Sequence, residues 1–302
     1  MAMSEIQRKA SAMVLPRREE FIRRTGLAAE TAAAVREFTA NPANAMRILA
    51  FKTAIYDPES IATVPEDLNR PTAEAALSAL AAALLSIPEG EKRCRRLGYP
   101  VRIFHEALAD VGVWAKHCRR NTGLHGLARI GAVWTAESYR IRVAQFGRLQ
   151  CNLEHRYHGD PIRDAAGRIA LQAGDGVINL HIPEAGPMTP DACLKSMRRM
   201  RRFFERYRGD YDWQGGFCHS WMLDPALAAF LPQSSNIMWF QRLGPCVADA
   251  EPSDIEFRIF GSGGAASVRE LNRFQQAIAS ALASGTRFHM GKLFIPREAF
   301  GR

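Results

Sequence analysis

The chain has 302 residues, which is enough for one large domain or two ordinary ones. Apolar residues make up 47% and charged residues 24% of the sequence, and this composition excludes a disordered or fibrous chain. The net charge of +9 favours anionic partners such as phosphates, nucleotides or acidic lipids as a class. A GC-rich genome also favours arginine codons, and this bias alone would give a positive net charge without any anionic partner. Both interpretations stay open.

Cysteine spacing and hydropathy indicate the cellular compartment in which the protein is expected. The six cysteines are widely spaced without a CxxC pair, which argues against a zinc ribbon or a thioredoxin motif. Met1–Arg24 is charged and lacks the apolar core of a signal peptide. The longest apolar stretch, Ala75–Ile87, is too short to span a bilayer. We therefore expect a cytoplasmic protein without a membrane segment or structural disulfides.

Residues 1–124 carry the pattern of a helical domain. Apolar residues of Ala43–Tyr56 and Val101–Arg119 recur near helical spacing. Thr72–Ser86 is the strongest helix, with Thr72 as its cap, and Pro88 and Gly90 are expected to end it. Leu124–Val143 also reads as helical, so no linker separates this half from the next. We predict a helical N-terminal domain over 1–124 and an α/β domain over 125–302.

The second half alternates short strands with helices, which is typical of an α/β fold. The predicted strands are Arg148–His155, Gly167–Leu171, Val177–Ile182, Phe217–Trp221, Asn236–Arg242, Glu256–Phe260 and Leu293–Ile295. The predicted helices are Thr189–Arg208, Asp224–Leu231 and Ser267–Ser284.

The strand, loop and helix of Val177–Arg208 form the first candidate site. A loop that delivers the chain to a helix N-terminus exposes free N–H groups, which favour an anion, and Gly186 allows a close approach to the backbone. Neither a Walker loop nor a GxGxxG motif is present. An ordinary βα unit with a solvated basic helix explains the same pattern.

Histidines on two predicted strands form the second candidate site. If Val177–Ile182 and Phe217–Trp221 are neighbours, His181 and His219 approach one another, and either is a candidate general base. Cys218 is a candidate nucleophile if a histidine lowers its pKa, although a cysteine in an apolar strand is more often core. His155 and His158 have the residue types of a metal site, but no converging ligand set accompanies them, and we expect no metal.

Several segments, taken in order, resemble a known family. They are Phe146–Gln150, Leu180–Cys193, Phe217–Pro225 and Ser235–Gln241. Together they are similar to the GNAT-like C-terminal domain of bacterial acyltransferase-domain proteins, which pair it with a helical N-acyltransferase N-terminal domain. The resemblance covers roughly Val101–Pro296. It implies a helical domain followed by a GNAT-like mixed-sheet domain.

The resemblance also implies a function. It suggests transfer of an acyl group from an acyl-CoA, or a similar thioester, to an amine or hydroxyl of a small-molecule acceptor. Strand Val177–Ile182 would bind the pantetheine arm, and the following loop would meet the pyrophosphate. The implied CoA-binding residues are Asn179, Leu180, Ile182, Glu184, Ala185 and Gly186, and the implied bases are His219, His181 and Glu154.

Two other functions stay open. The Arg/Gln-x-x-Gly-x-Gly/Ala loop common in GNAT enzymes is missing, so a catalytically silent protein that binds a CoA ester or another metabolite is the first alternative. The basic run Arg198–Arg208 suggests nucleic acid, but no helix-turn-helix, zinc finger or RNA-recognition motif accompanies it, so we expect no nucleic-acid partner. The oligomeric state and the identity of the acceptor stay open.

Overall fold

The structure is a computed structural model that describes residues 17–57 and 64–301. The chain forms two compact units, of which the first ends at Gln145 and the second begins at Phe146. The boundary predicted at Leu124 lies ahead of a helix that belongs to the first unit. The expectation that the chain has no signal peptide rests on Met1–Arg24, and most of that segment lies outside the described residues.

Helices make up most of the first unit, as its sequence predicted. They are α1 (Arg18–Thr25), α2 (Ala29–Ala40), α3 (Ala45–Phe51), α4 (Ala73–Leu85), α5 (Ile87–Arg96), α6 (Arg102–Ala107), α7 (Ala109–Thr122) and α8 (Arg129–Tyr139). A π-helical turn, Lys52–Tyr56, extends α3, and a three-residue strand, β1 (Val143–Gln145), closes the unit.

Helix α4 is the central helix of this unit. The Thr72 hydroxyl accepts a hydrogen bond from Ala75 N at 3.2 Å, which confirms the predicted cap. Nine of its residues are buried, because alanines let neighbouring helices pack closely. Helix α4 ends at Leu85, ahead of Pro88 as predicted, but Gly90 ends no helix, because α5 begins at Ile87 and continues through it. Pro88 lies in the first turn of α5, where a missing N–H costs no hydrogen bond, so the chain only bends by 42°.

Among the described residues, no single helix is long and apolar enough to cross a membrane. Only α4 and α5, taken together as a bent pair, reach the length and apolar composition of a membrane span.

The second unit contains a mixed sheet covered by helices, as predicted. Its strands are β2 (Gln150–Asn152), β3 (Ile162–Arg163), β4 (Ile169–Leu171), β5 (Val177–His181), β6 (Gly215–Ser220), β7 (Cys246–Pro252) and β8 (His289–Pro296). Its helices are α9 (Pro190–Tyr207), α10 (Asn236–Gln241), α11 (Ile255–Phe260) and α12 (Arg273–Ala283).

Five of these strands lie side by side in the order β2-β5-β6-β8-β7. Strands β5 and β6 are parallel, and the other neighbours in this series are antiparallel. Strands β3 and β4 form a separate antiparallel pair. The sequence prediction of a helical region followed by a mixed-sheet α/β region is confirmed.

Helix α9 begins where the sequence predicted. The Thr189 hydroxyl accepts from Ala192 N at 3.4 Å, and Pro190 occupies the first helical position. Its buried side chains, which form the core-facing side of an amphipathic helix, are Cys193, Ser196, Met197, Met200, Phe203 and Phe204. The basic run is therefore the solvent side of a core helix, and part of its charge is neutralised, for example by the Arg201–Glu205 ion pair at 2.7 Å.

Two predicted strands are wrong, because both segments are helices. Asn236–Arg242 contains α10, which starts because the Ser235 hydroxyl accepts from Met238 N at 3.3 Å. Glu256–Phe260 lies in α11, where only Ile255 and Phe260 are buried. Apolar runs this short do not distinguish the two periods. The sequence prediction also missed β7, an exposed edge strand of alanine, acid and proline.

Candidate active site

A gap opens in the sheet between β5 and β6. The two strands pair from Val177–Gly215 to Leu180–Cys218, and no further pair follows. Beyond that point His181 still pairs with Gln150 on β2, and His219 still pairs with Lys292 on β8. At this point β5 therefore remains paired with β2, and β6 with β8, but β5 and β6 are no longer paired with each other. The end of this pairing is where a ligand with its own hydrogen-bonding groups can meet the backbone of the two strands.

The gap carries a polar face. Residues paired across a sheet share a face, so Asn152, Asn179 and His181 lie on the same side as His219 and Lys292. An apolar cluster lies further along this unit, built from Tyr157, Ile162, Leu171, Val177, Phe217 and Phe294. Polar side chains thus occupy the open end of the parallel pair, and apolar side chains occupy its closed end.

Asn152 joins two of the predicted site residues. Its Oδ1 atom accepts from Asn179 Nδ2 at 2.9 Å and lies 2.7 Å from His181 Nε2. Because an amide oxygen only accepts, His181 must carry its proton on Nε2. Burial, and to a smaller extent the nearby His155, lowers the pKa of His181 to about 4. His181 is therefore neutral at pH 7.

His155 lies beside this group and is held by Tyr211. The buried Tyr211 hydroxyl is 3.0 Å from both His155 N and Val177 N, so one side chain ties the loop after β2 to the start of β5. Burial, followed by His158, lowers the pKa of His155. The pair His155–His158, considered above as a metal site, instead lies ring edge to ring face at 6.3 Å.

His219 meets a carboxylate on the other side of the gap. Its Nε2 atom is 3.0 Å from Asp249 Oδ2, although the two groups are not aligned for a full hydrogen bond. The same oxygen lies 2.9 Å from Lys292 Nζ. Partial burial opposes ionisation of Asp249, but the hydrogen bonds and positive charge around it, led by Lys292, together outweigh burial and lower the pKa of the carboxyl. Burial likewise opposes the charge on Lys292, and Asp249 raises the pKa of that ammonium.

The arrangement of His219, Asp249 and Lys292 was not foreseen from the sequence. Asp249 lies on the strand that the sequence prediction missed, and Lys292 lies ahead of the predicted strand Leu293–Ile295. An acid and a lysine on two exposed-looking segments carried no signal of their own. Only the antiparallel pairing of β8 with both β6 and β7 brings them to His219.

One group of potential metal ligands occurs in the described part of the chain. One donor atom each of His219, Asp249 and Glu251 lies within 4.8 Å of the others. The ammonium of Lys292 already lies against the shared Asp249 oxygen. That ammonium would repel a metal ion bound there. We therefore interpret the three groups as a histidine with two acidic neighbours.

The loop after β5 is open to solvent. Glu184, Ala185 and Gly186 are exposed, and Ile182 is half-buried. Gly186 has φ +75°, and nothing lies within 4 Å of the position where a Cβ would be. The loop then meets the N-terminus of α9, whose first N–H groups lack helical partners. This combination of an open glycine and a helix start fits an anionic ligand.

Two other sequence candidates lie apart from the polar face. Glu154 follows the end of β2 rather than lying on it, and its carboxylate is 73% exposed and pairs with Arg208 at 3.2 Å. Cys218 lies on the opposite sheet face from His219, fully buried, and burial raises the pKa of its thiol to about 12. A thiol in that state is not a nucleophile at neutral pH.

Comparison with protein families agrees with the two-part fold. Residues 143–294 match the model of the GNAT-like C-terminal domain, and residues 16–141 match the model of the N-acyltransferase N-terminal domain. The chain therefore belongs to the family that joins an N-acyltransferase N-terminal domain to a GNAT-like C-terminal domain. A comparison with curated protein sequences gives no match.

Solved structures with the same fold include several acyltransferases. One, a mutant in complex with octanoyl-CoA, has a TM-score of 0.71 at 22% identity. A second, in complex with decanoyl-CoA and teicoplanin, has a TM-score of 0.69 at 22% identity. A third, in complex with decanoyl-CoA, has a TM-score of 0.70 at 23% identity. Each match covers 92% of this chain and 87% of the other.

Proposed function

We propose that this protein transfers an acyl group from an acyl-CoA to an amine of a small-molecule acceptor. The observation that carries the proposal is the gap between β5 and β6, because the pairing of the two strands ends there beside two histidines and a loop that suits an anion. Pantetheine contains two amides, which can pair with the separated strands as another strand would. The related folds that hold octanoyl-CoA and decanoyl-CoA support an acyl-CoA donor.

The reaction joins the acceptor nitrogen to the thioester carbonyl carbon and breaks the carbon–sulfur bond. The acceptor loses one proton, and the departing thiolate gains one. Holding the two reactants in contact supplies much of the acceleration. Backbone N–H groups at the gap would stabilise the negative oxygen of the tetrahedral intermediate.

His219 is the base that this arrangement favours. The Asp249 carboxylate 3.0 Å from its Nε2 would stabilise the imidazolium that forms when His219 takes the acceptor proton. His181 has two amide side chains as neighbours instead, and its pKa of about 4 makes it a poor base at neutral pH. We assign His181, with Asn152 and Asn179, to the lining of the pantetheine path.

The acidic surroundings of His219 favour an amine over a hydroxyl as acceptor. Asp249 and Glu251 both lie within 4 Å of its imidazole. Such carboxylates attract an ammonium group, which must lose its proton before it can attack. The related structure that contains teicoplanin is consistent with a bulky small-molecule acceptor.

Calorimetric titration with CoA, acetyl-CoA, octanoyl-CoA and decanoyl-CoA tests the donor assignment. Saturable micromolar binding is expected, together with release of free thiol when an amine acceptor is added. Gly186→Phe should weaken CoA binding. Gly167→Phe is the matched control, because Gly167 also has a positive φ of +77° and open space but lies in the β3–β4 turn. Absence of binding by any CoA species would overturn the proposal, whereas binding without turnover of any acceptor would favour a catalytically silent CoA-ester-binding protein.

A further inference from the structure

Arg148 connects the two ends of the loop that follows β5. Its Nη1 atom donates to Pro183 O at 3.0 Å, and its Nε atom donates to Pro187 O at 3.3 Å. These carbonyls flank the exposed segment 184–186. One guanidinium therefore links the two ends of this loop by hydrogen bonds, and Arg148 lies 35 residues before Pro183 in the chain.

The backbone of Arg148 is itself anchored to the helix that follows the loop. Ser196, buried on α9, accepts hydrogen bonds from Arg148 N at 2.9 Å and from Leu149 N at 3.3 Å. The preceding Gly147 has φ +87°, and a Cβ there would lie 3.3 Å from Arg199 Nη1. The guanidinium thus reaches the loop from a fixed position.

The charge of Arg148 is not neutralised within the described part of the chain. No carboxylate there forms an ion pair with it, and both of its side-chain hydrogen bonds go to neutral carbonyls. Burial lowers the pKa of this guanidinium. A desolvated cation beside a solvent-open loop is best compensated by an anion bound in that loop.

We propose that Arg148 is the positioning residue for the phosphates of CoA, holding the loop 183–187 in the shape that receives them. By joining Pro183 to Pro187, it orders the backbone of residues 184–186 beside the N-terminus of α9, where the Ala185 N–H donates to Pro183 O at 2.8 Å within the loop itself. It takes the place of a glycine-rich phosphate loop, which this sequence lacks. The inference rests on the proposed function, because it takes acyl-CoA as the ligand.

The test compares two donors that differ only in the nucleotide. Decanoyl-CoA carries the phosphates, and S-decanoyl-pantetheine does not. Arg148→Met should raise the Kd of decanoyl-CoA about tenfold or more and leave that of S-decanoyl-pantetheine within about twofold. Arg148→Lys should restore only part of the affinity, since an ammonium cannot span both carbonyls as the guanidinium fork does. Equal weakening of both donors, or no weakening, would overturn the proposal.

Hydrogen exchange supplies a readout that needs no ligand. In the free protein, Arg148→Met should speed amide exchange at residues 184–186 and at Met188. Arg163→Met is the matched control, because Arg163 also donates to a turn carbonyl, that of Gly167, at 2.8 Å. Unchanged exchange in Arg148→Met would contradict the role of Arg148 whatever the ligand. Failure of the wild type to bind either donor would instead contradict the proposed function, and with it the phosphate part of this inference.

Discussion

His219 Nε2 lies 3.0 Å from Asp249 Oδ2, although the two residues lie on strands that are not neighbours in the sheet. Strand β8 separates β6 from β7, and its Lys292 binds the same oxygen at 2.9 Å. Asp249 is therefore held by a permanent cation on one side and faces a titratable imidazole on the other. This geometry suits a base that gains and loses a proton in each cycle.

Replacement of His219 should affect chemistry more than binding. We expect His219→Gln to lower kcat by about 10²-fold or more and to leave the Kd of acyl-CoA within about twofold. Asp249→Asn should lower kcat less, because the imidazolium loses its stabilising charge while the base stays. Thiol release measures turnover, and His158→Gln, on an exposed loop residue, should behave like the wild type. Full turnover in His219→Gln would assign the base elsewhere.

The lowered pKa of His181 should make the protein less stable in mild acid. Because its pKa is about 4 in the folded protein, against an ordinary 6.5, the unfolded chain binds more protons between these pH values. The free energy of unfolding should fall as the pH drops from about 6.5 to 4, by at most about 3 kcal/mol from this residue. Urea unfolding at pH 7.5, 6 and 5 measures the effect.

His181→Gln should show a weaker pH dependence, since glutamine can donate to Asn152 without titrating. His158→Gln should keep the slope of the wild type. If His181→Gln and the wild type lost stability in parallel down to pH 5, the imidazole would not be the group that resists protonation.

Asn152→Asp should change the titration of His181. The substitution puts a carboxylate where an amide oxygen now lies 2.7 Å from Nε2. A negative charge at that distance favours imidazolium, so the pKa of His181 should rise by about 1–3 units. Histidine ring resonances followed by NMR from pH 3.5 to 8 measure the shift. An unchanged pKa would mean that Asn152 does not face the imidazole in solution.

Cys218 should prove dispensable for catalysis. It is fully buried on the face opposite His219, with the pKa of its thiol raised to about 12 by burial. We expect Cys218→Ala to keep kcat within about twofold while losing a little stability through the small cavity it leaves. A loss of turnover comparable with that of His219→Gln, in a variant that remains folded, would restore the nucleophile hypothesis.

Asp224 should be important for the stability of the second unit. It is 2% exposed, and its two oxygens accept from Ala226 N at 2.9 Å and from His289 N at 2.8 Å. Asp224→Ala removes a cap and leaves the part-buried His289 N–H unpaired, so we expect a loss of about 2–4 kcal/mol in urea unfolding.

Asp164→Ala is the comparison for that loss. Asp164 also accepts two backbone N–H groups, from Ala166 and Arg168, but it lies on the exposed β3–β4 turn. Water can replace it there, so a clearly smaller change is expected. Equal losses in the two variants would show that burial of Asp224 is not what makes its hydrogen bonds matter.

Local sequence signals predicted much of this fold. Thr72 and Thr189 cap the helices where expected, and the apolar run at Val177 is a central strand, because caps and hydrophobic runs are properties of a few adjacent residues. The same reasoning was wrong for α10 and α11, whose six residues are too short to show a helical period.

The sequence by itself determined a helical region followed by an α/β region, and it pointed to His181, His219 and the loop at Gly186. Which of these residues act together was decided by tertiary structure. The pairing of β8 with β6 and β7 brings Lys292 and Asp249 to His219, and the turn before β2 sends Arg148 across to Pro183 and Pro187. Such contacts join residues from 30 positions apart, as for His219 and Asp249 (249 − 219 = 30), to 73 positions apart, as for His219 and Lys292 (292 − 219 = 73). No local pattern of charge or hydropathy encodes which distant side chain will meet which.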